Sequence, residues 1–344
     1  MTVPATADVL GSPRTDLDAG RILHRARDLV APALADAIAT LHPWVAEMSD
    51  YALGRHGTDA AHRQGKGVRQ ALAVLGAELT GASAEAGIPA AVAVELVHTF
   101  SLLHDDIMDG DALRRGRPAL WKAYGTGPAV LAGDALFALA VETLSTAPGA
   151  VRRLSSALGD LVHGQADDLL FAHRPWTGPE SVTVGEYETM AEQKTGALLG
   201  CALALGAHLG GAADETASAL DRAGRHLGVA FQIVDDLLGI WGDPEATGKP
   251  VHGDLRQGKK TFPVLAALDT PCGPELAELL AARDDIGIRR AAALVAEAGG
   301  RAAALREARR HLSAADALLD SVPSSPRPAA ELRVLLTALT RRTV

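Results

Sequence analysis

Two short acidic clusters hold most of the chemistry in this chain. The first, Ser101-Leu-Leu-His104-Asp105-Asp106-Ile-Met-Asp109-Gly110-Asp111, closes an apolar run from Val92 to Leu103. On a helix Asp105 and Asp109 are four residues apart and share a face, and tracing that face backward gives Ser101 and His98. Carboxylates crowded beside apolar residues repel one another unless a cation screens them. Their hard oxygens suit Mg2+, which keeps its waters and engages phosphate oxygens. The second cluster, Phe231-Gln232-Ile-Val-Asp235-Asp236-Leu-Leu-Gly239-Ile-Trp-Gly242-Asp243, repeats the arrangement. A lone DDxxD is as readily a solvated helix end as a site. Two acidic pairs in matching apolar contexts are better explained as facing walls of one metal site in a helical bundle.

Basic residues lie close to these acids in sequence. Gly65-Lys66-Gly67-Val68-Arg69 puts Lys66 and Arg69 three residues apart, side by side at an expected helix start. Arg114-Arg115-Gly116-Arg117-Pro118 follows the first cluster, and Lys194-Thr195-Gly196, Thr247-Gly248-Lys249 and Gly258-Lys259-Lys260 add three more groups. Each alone reads as an ordinary solvated charge. Paired with Gly or Thr, and in step with the acids, they read as donors to phosphate oxygens, Arg as a planar fork and Lys as a point charge.

Helices have to position these groups. The chain of 344 residues is nearly half hydrophobic, rich in Ala, Leu, Gly and Val and poor in aromatics, and Ala and Leu rank high in helix propensity. Residues 1–20 read as a flexible N-terminal tail and 21–344 as one all-α catalytic domain, a large helical bundle around a central cavity. Ile22 to Leu53 shows helical apolar spacing. Gly and Pro mark breaks at 81–89, 125–128, 174–179, 210–211, 242–250, 271–274 and 323–328. No strand–helix alternation or dinucleotide fingerprint is seen, and the C-terminal third is amphipathic helix without evident chemistry. The net charge of −9 argues against a nucleic-acid partner. Cys201 and Cys272 lack metal spacing, so a reduced, cytoplasmic setting is expected. The N-terminus has no signal-peptide pattern. The longest apolar candidate, Pro128 to Leu144, is interrupted by Asp134 and Glu142, so no membrane span is expected.

Taken in order, these motifs resemble the trans-isoprenyl diphosphate synthases, or polyprenyl synthetases. HTFSLLHDDIMDGDALRRGRP from His98 is the strongest match, followed by GQADDLLF from Gly164, KTGALL from Lys194 and FQIVDDLLGIWGDPEATGKP from Phe231. The resemblance implies that Asp105, Asp106 and Asp109, with Asp235 and Asp236, hold Mg2+ (three ions per site) on an allylic diphosphate. It implies that Arg114, Lys194 and Lys249 bind that diphosphate, while Lys66, Arg69, His98 and Arg115 bind isopentenyl diphosphate. Thr195 and Gln232 would lie near the reacting carbons, and Gln165 and Asp168 would be structural or direct participants. Asp105, Asp109, Asp235, Lys194, Thr195 and Gln232 would form the catalytic set, and the enzyme would be a homodimer. The family pattern at Phe100 and Ser101, five and four residues before Asp105, implies a C20 product, geranylgeranyl diphosphate. Phe100 lies ~7.5 Å down the helix at the usual rise. Two departures stand out: the second motif has Gly239 where an aspartate is usual, with Asp243 only a partial replacement, and Gln70 stands where Pro is usual after Arg69.

Other readings remain open on sequence. A terpene cyclase would use the same acidic clusters, but would have no need of Lys66, Arg69 and His98. A non-catalytic subunit would be expected to lose aspartates, which this chain keeps. Product lengths of C15, or of C25 and longer, are further alternatives.

Overall fold

The computed structural model describes residues 18–55, 65–243, 251–282 and 284–340. Most of the expected N-terminal tail, and Lys249 with the rest of its motif, lie outside the described residues. Where the sequence suggested one helical stretch from Ile22, two helices form, α1 (Ala19–Ala39) and α2 (Pro43–Leu53). The break comes at His42, which caps α2, and Pro43 takes the first position of that helix, where no N–H is needed. Gly54, at φ 76°, ends α2 in the left-handed conformation.

Sixteen α-helices fall among the described residues. After α2 come α3 (Val68–Leu79), a 3-10 turn at Ala84–Gly87, and α4 (Ile88–Met108). Next are α5 (Leu120–Tyr124), α6 (Thr126–Thr143), α7 (Pro148–Phe171) and α8 (Val184–Ala191). A π-helical segment, Glu192–Gly196, leads into α9 (Ala197–Leu209), and α10 (Asp214–Trp241) follows. The C-terminal part holds α11 (Gly253–Gln257), α12 (Phe262–Leu268), α13 (Gly273–Ala282), α14 (Asp285–Glu297), α15 (Gly300–Asp320) and α16 (Pro326–Thr340). Among the described residues the fold is all-α apart from one hairpin of two-residue strands, β1 (Leu113–Arg114) with β2 (Arg117–Pro118). Arg115 at φ 53° and Gly116 at φ 74° make its turn, the left-handed pair that tight hairpins require.

The core is organised around α9. Every residue from Ala197 to Ala207 is buried, as expected of a helix that is apolar on all sides. α3, α4, α7 and α10 pack around it. Its small residues let these helices approach backbone to backbone. A Cβ on Gly206 would stand 1.9 Å from the carbonyl oxygen of Ala73 on α3, and one on Gly228 of α10 would stand 2.2 Å from the Cα of Gly196. α10 is amphipathic over 28 residues and buries a stripe that includes Leu220, Leu227, Val234 and Leu237. The helical segment 84–108 is the one described stretch long and apolar enough to cross a membrane, rather than Pro128–Leu144. Most of it is buried, against α3, α6 and α9, which marks it as a core helix.

The tight α3–α9 contact is testable. Gly206→Ala should destabilise the protein by ~1–3 kcal/mol, the usual cost of overpacking, read as a lower midpoint in thermal denaturation.

Candidate active site

The two acidic clusters occupy the ends of the helices that the apolar runs build. Asp105 and Asp106 lie in the last turn of α4, and Asp109 caps it, its N–H reaching the Asp105 carbonyl at 2.8 Å. Asp235 and Asp236 lie in the last two turns of α10. In each pair the second aspartate is buried and the first is only half-buried. Asp106 is 2% exposed and accepts the Arg114 guanidinium, from Nε at 2.8 Å and also from Nη2. Asp236 is 4% exposed. Its Oδ1 accepts from Gln232 Nε2 at 3.0 Å, and its Oδ2 accepts from the Tyr187 hydroxyl at 2.6 Å and the Phe262 N–H at 3.0 Å. Both second aspartates are therefore engaged within the protein, while Asp105, Asp109 and Asp235 retain exposure. No sequence feature separates the two members of a pair; only burial does.

A shared electrostatic neighbourhood joins the two clusters. Burial pushes the Asp105 carboxyl up to about 6, with Lys194 opposing and Asp109 and Asp168 reinforcing the shift. Burial also pushes Asp236 up to about 7, reinforced by Asp254. Lys259 is raised: burial pulls it down, but Asp254, Asp109, Asp168 and Asp111 outweigh that pull. Lys259 thus stands between acids from both ends of the site. It belongs to a basic motif the sequence displays, yet nothing in the sequence says that Lys259 faces the acids while Lys260 packs 3.2 Å over the Trp176 ring.

Lys194 and Thr195 sit in the π-helical segment, a distortion that often marks functional positions. The backbone of α7 presses on it at Gly164, where a Cβ would lie 2.3 Å from the Lys194 nitrogen. Lys194 Nζ donates to Asp168 Oδ2 at 2.5 Å. The Thr195 hydroxyl donates to Gln232 Oε1 at 2.8 Å, and Gln232 passes the chain on to Asp236. Gln165 is buried on the same helix as Asp168.

A second basic group lies further back along α4, around Glu95 and His98. Arg69 is drawn down to about 10, chiefly by burial, with Glu95 opposing and Arg115 reinforcing. His98 is held well below its usual range by burial and by Arg69, Arg115 and Arg114, so it is neutral. Glu95, 8% exposed, is raised by burial against the pull of Arg69, Arg115 and Arg27. Sequence inspection passes over Glu95 because it sits alone in an apolar run. The 65–67 segment is drawn to this group: Arg27 Nη2 donates to the Gly65 carbonyl at 2.9 Å, and a Cβ on Gly65 would lie 2.8 Å from Arg115 Nη2. Lys66 is exposed and precedes α3, which starts after the left-handed Gly67; Lys66 and Arg69 are therefore not side by side on a helix. The hairpin that carries Arg114 and Arg115 is tied to α2 by Arg117, stacked 4.3 Å over Tyr51, and by the Tyr51 hydroxyl, which donates to the Pro118 carbonyl at 2.8 Å. Phe100 meets His104 edge-on at 4.8 Å and Phe137 of α6 at 5.7 Å. The Ser101 hydroxyl donates back to the His98 carbonyl at 2.9 Å.

Comparison with known proteins agrees with this architecture. Residues 44–297 match the model of the polyprenyl synthetase family. A geranylgeranyl diphosphate synthase of Mycobacterium tuberculosis is 46% identical over 334 residues, covering 93% of this chain and 94% of that one. A (2E,6E)-farnesyl diphosphate synthase of Mycobacterium bovis is 42% identical over 332 residues, covering 91% and 90%. The crystal structure of a polyprenyl synthetase from Streptomyces coelicolor A3(2) superposes with a TM-score of 0.86 at 45% identity, covering 94% of this chain and 99% of that one. The chain belongs to the polyprenyl synthetase family and is a prenyltransferase.

The contrast within the acidic pairs sets two expectations. Asp236→Ala should destabilise the fold strongly, because it leaves a buried hydroxyl, amide and N–H without their acceptor. Asp105→Asn should do the reverse in metal-free protein. The Asp105 carboxyl titrates near 6 in the folded state against about 4 unfolded, so its charge costs stability as pH rises through that window. The variant's gain in melting temperature should be largest at pH 8 and shrink toward pH 4.5. An equal gain at both pH values would contradict the assignment.

Proposed function

We propose that this chain condenses isopentenyl diphosphate with an allylic diphosphate, in the trans 1′–4 manner, to give geranylgeranyl diphosphate. The observation that carries the reading is the presence of two charged zones along α4, one at its C-terminal end with Lys194 and one around Glu95 and His98. One holds Asp105, Asp109, Asp235, Lys194 and Lys259; the other holds Arg69, His98 and Arg115. A reaction between two diphosphates needs both zones, and a cyclase acting on one diphosphate needs only the first.

The first zone fits magnesium, on which the family depends. Its donors are carboxylate oxygens, the hard ligands Mg2+ takes, and a cation would offset the burial, and secondarily the repulsion from Asp109 and Asp168, that raises Asp105. Asp105, Asp109 and Asp235 would hold the ions, three per site, and the ions would neutralise charge building on the departing diphosphate. Lys194, with Lys249 and Arg114, would bind the allylic diphosphate and stabilise it as it leaves. Asp106 and Asp236 act by positioning: Asp106 orients Arg114, and Asp236 orients Gln232, which with Thr195 lines the cavity near the reacting carbons. His98, Arg69, Arg115 and Lys66 would hold isopentenyl diphosphate, whose double bond attacks the allylic carbon. Proton loss from the adduct needs no side-chain nucleophile, and the released diphosphate is the base at hand.

Chain length is set by what blocks the growing tail. Phe100, braced by His104 and Phe137, is the bulk below Asp105, which supports a C20 product. α6 exposes Val130, Leu131 and Phe137, an apolar face that supports a homodimer. The whole of 21–344 serves as one catalytic domain, and free thiols at Cys201 and Cys272 fit a cytoplasmic protein.

Activity should vanish in excess chelator and return with Mg2+; full turnover without a divalent ion would overturn the metal reading. Arg69→Ala should raise KM for isopentenyl diphosphate by at least ~10-fold, the loss of about 1.4 kcal/mol, with little change for the allylic partner. Conversion of a single diphosphate to hydrocarbon would instead establish the cyclase. Phe100→Ala should lengthen the product to C25 or beyond, and Ser101→Phe should shorten it toward C15, both read by chromatography of dephosphorylated products. An unchanged product from Phe100→Ala would place the floor elsewhere.

A further inference from the structure

Lys194 and Thr195 sit in the π-helical segment Glu192–Gly196, which the Ala197 N–H closes on the Glu192 carbonyl. Such turns are rare, and two flanking helices hold this one. On α7, Asp160, Gly164 and Asp168 recur every four residues and share one side. On α10, Asp221, Arg225, Gly228 and Gln232 follow steps of four, three and four and do the same. In the middle the contact is backbone to backbone, against Gly164 on one side and Gly228 on the other. A Cβ on Gly196 would stand 2.8 Å from the Arg225 carbonyl oxygen.

Side chains tie the segment down beyond these glycines. One turn on from Gly164, Lys194 is joined to Asp168 of α7, and Thr195 is joined to Gln232 of α10. One turn back, a single guanidinium makes the connections. Arg225 Nη2 donates to Asp160 Oδ2 of α7 at 2.6 Å, and its Nε donates to Asp221 Oδ2 of α10 at 2.7 Å. Its Nη1 lies 3.7 Å from Oε1 of Glu192, the first residue of the π segment. The Arg225 side chain is only 18% exposed. Burial pulls the guanidinium down, but Asp221 and Asp160 outweigh that pull and raise it. None of the three carboxylates has been assigned above to metal or substrate.

We propose that Arg225 is a positioning residue for the transfer reaction. By tying α7 to α10 and to the start of the π segment, it holds the register in which Lys194 and Thr195 meet the allylic diphosphate. A change of one residue in helical register turns a side chain by roughly 100° about the axis, so a small slip would withdraw both groups. This rests on the reading of Lys194 and Thr195 given above.

Steady-state kinetics of the full-length protein with Mg2+, a C15 allylic diphosphate and isopentenyl diphosphate tests the proposal. Arg225→Met and Asp160→Asn should each lower kcat by ~10-fold or more, because small misplacements of catalytic groups carry costs of that order. Both should raise KM for the allylic diphosphate by ~5-fold or more and leave KM for isopentenyl diphosphate within about 2-fold. Arg225→Lys keeps a charge but cannot fork between two carboxylates, and should lie between the native protein and Arg225→Met. In hydrogen exchange, Ala197 should lose protection in these variants while Leu203, inside α9, keeps it. Should Arg225→Met not fold, Asp160→Asn and Arg225→Lys carry the same test. Native kinetics in folded Asp160→Asn and Arg225→Lys would overturn the proposal, and so would an equal rise in both KM values that follows the melting temperature. Lys194→Ala, run alongside, should lose at least as much on the same constants. Native kinetics there would overturn the reading of Lys194 itself, and the proposal with it.

Discussion

The active-site wall depends on one buried carboxyl group. Asp236 gathers a hydroxyl from α8, a side-chain amide from its own helix α10, and the backbone N–H that begins α12. Three elements far apart in sequence thereby converge on one residue, and the register of each is set by where its donor must be. Burial opposes the charge on Asp236, and the donors offset that opposition. The neighbour Asp235, one residue earlier, is half-buried on a turn fixed by these bonds. Asp106 does the same for α4 with Arg114 as its partner, fixing the hairpin that carries Arg115.

A strongly acidic protein can thus hold anionic substrates. The net charge of −9 is a sum over the whole surface, whereas the acids at the end of α4 are met by Lys194 and Lys259, and Arg69 and Arg115 gather around Glu95 further back on the same helix. Glu95 is the counterweight that lets two guanidinium groups and a neutral imidazole share a confined volume. Carrying that group on a core helix keeps the geometry stiff, since α4 is clasped by α3, α6 and α9.

Much of the site was legible in the sequence because its ligands are local. Asp105 and Asp109 follow helical spacing, and the repeat of an apolar run ending in Asp-Asp at 235–236 signals a second wall. The helical class follows from composition and from the spacing of Gly and Pro. What stayed hidden is set by contacts between distant segments. Asp105 and Asp106 look equivalent until packing buries one. Glu95 is a single charge in an apolar stretch, and its partners come from three other segments. Lys66 and Arg69 look like helical neighbours, but Gly67 turns the chain between them. The hairpin at 113–118 is too short to leave a periodic trace, and its only mark is the Arg-Gly pair of its turn.

The backbone contacts around α9 carry a consequence for how such an enzyme can change over generations. Where Gly206 lies on Ala73, and Gly228 on Gly196, any larger residue forces two helices apart. Those positions are closed to gradual substitution, and with them the side of the cavity that α9 and α10 build. The side formed by α4 and α6 has no such restriction: Phe100, Ser101, His104 and Phe137 are side-chain contacts that can be exchanged one at a time. Change at the apolar contacts between α4 and α6 is therefore open to single steps, while the helix pairs closed around α9 hold their spacing.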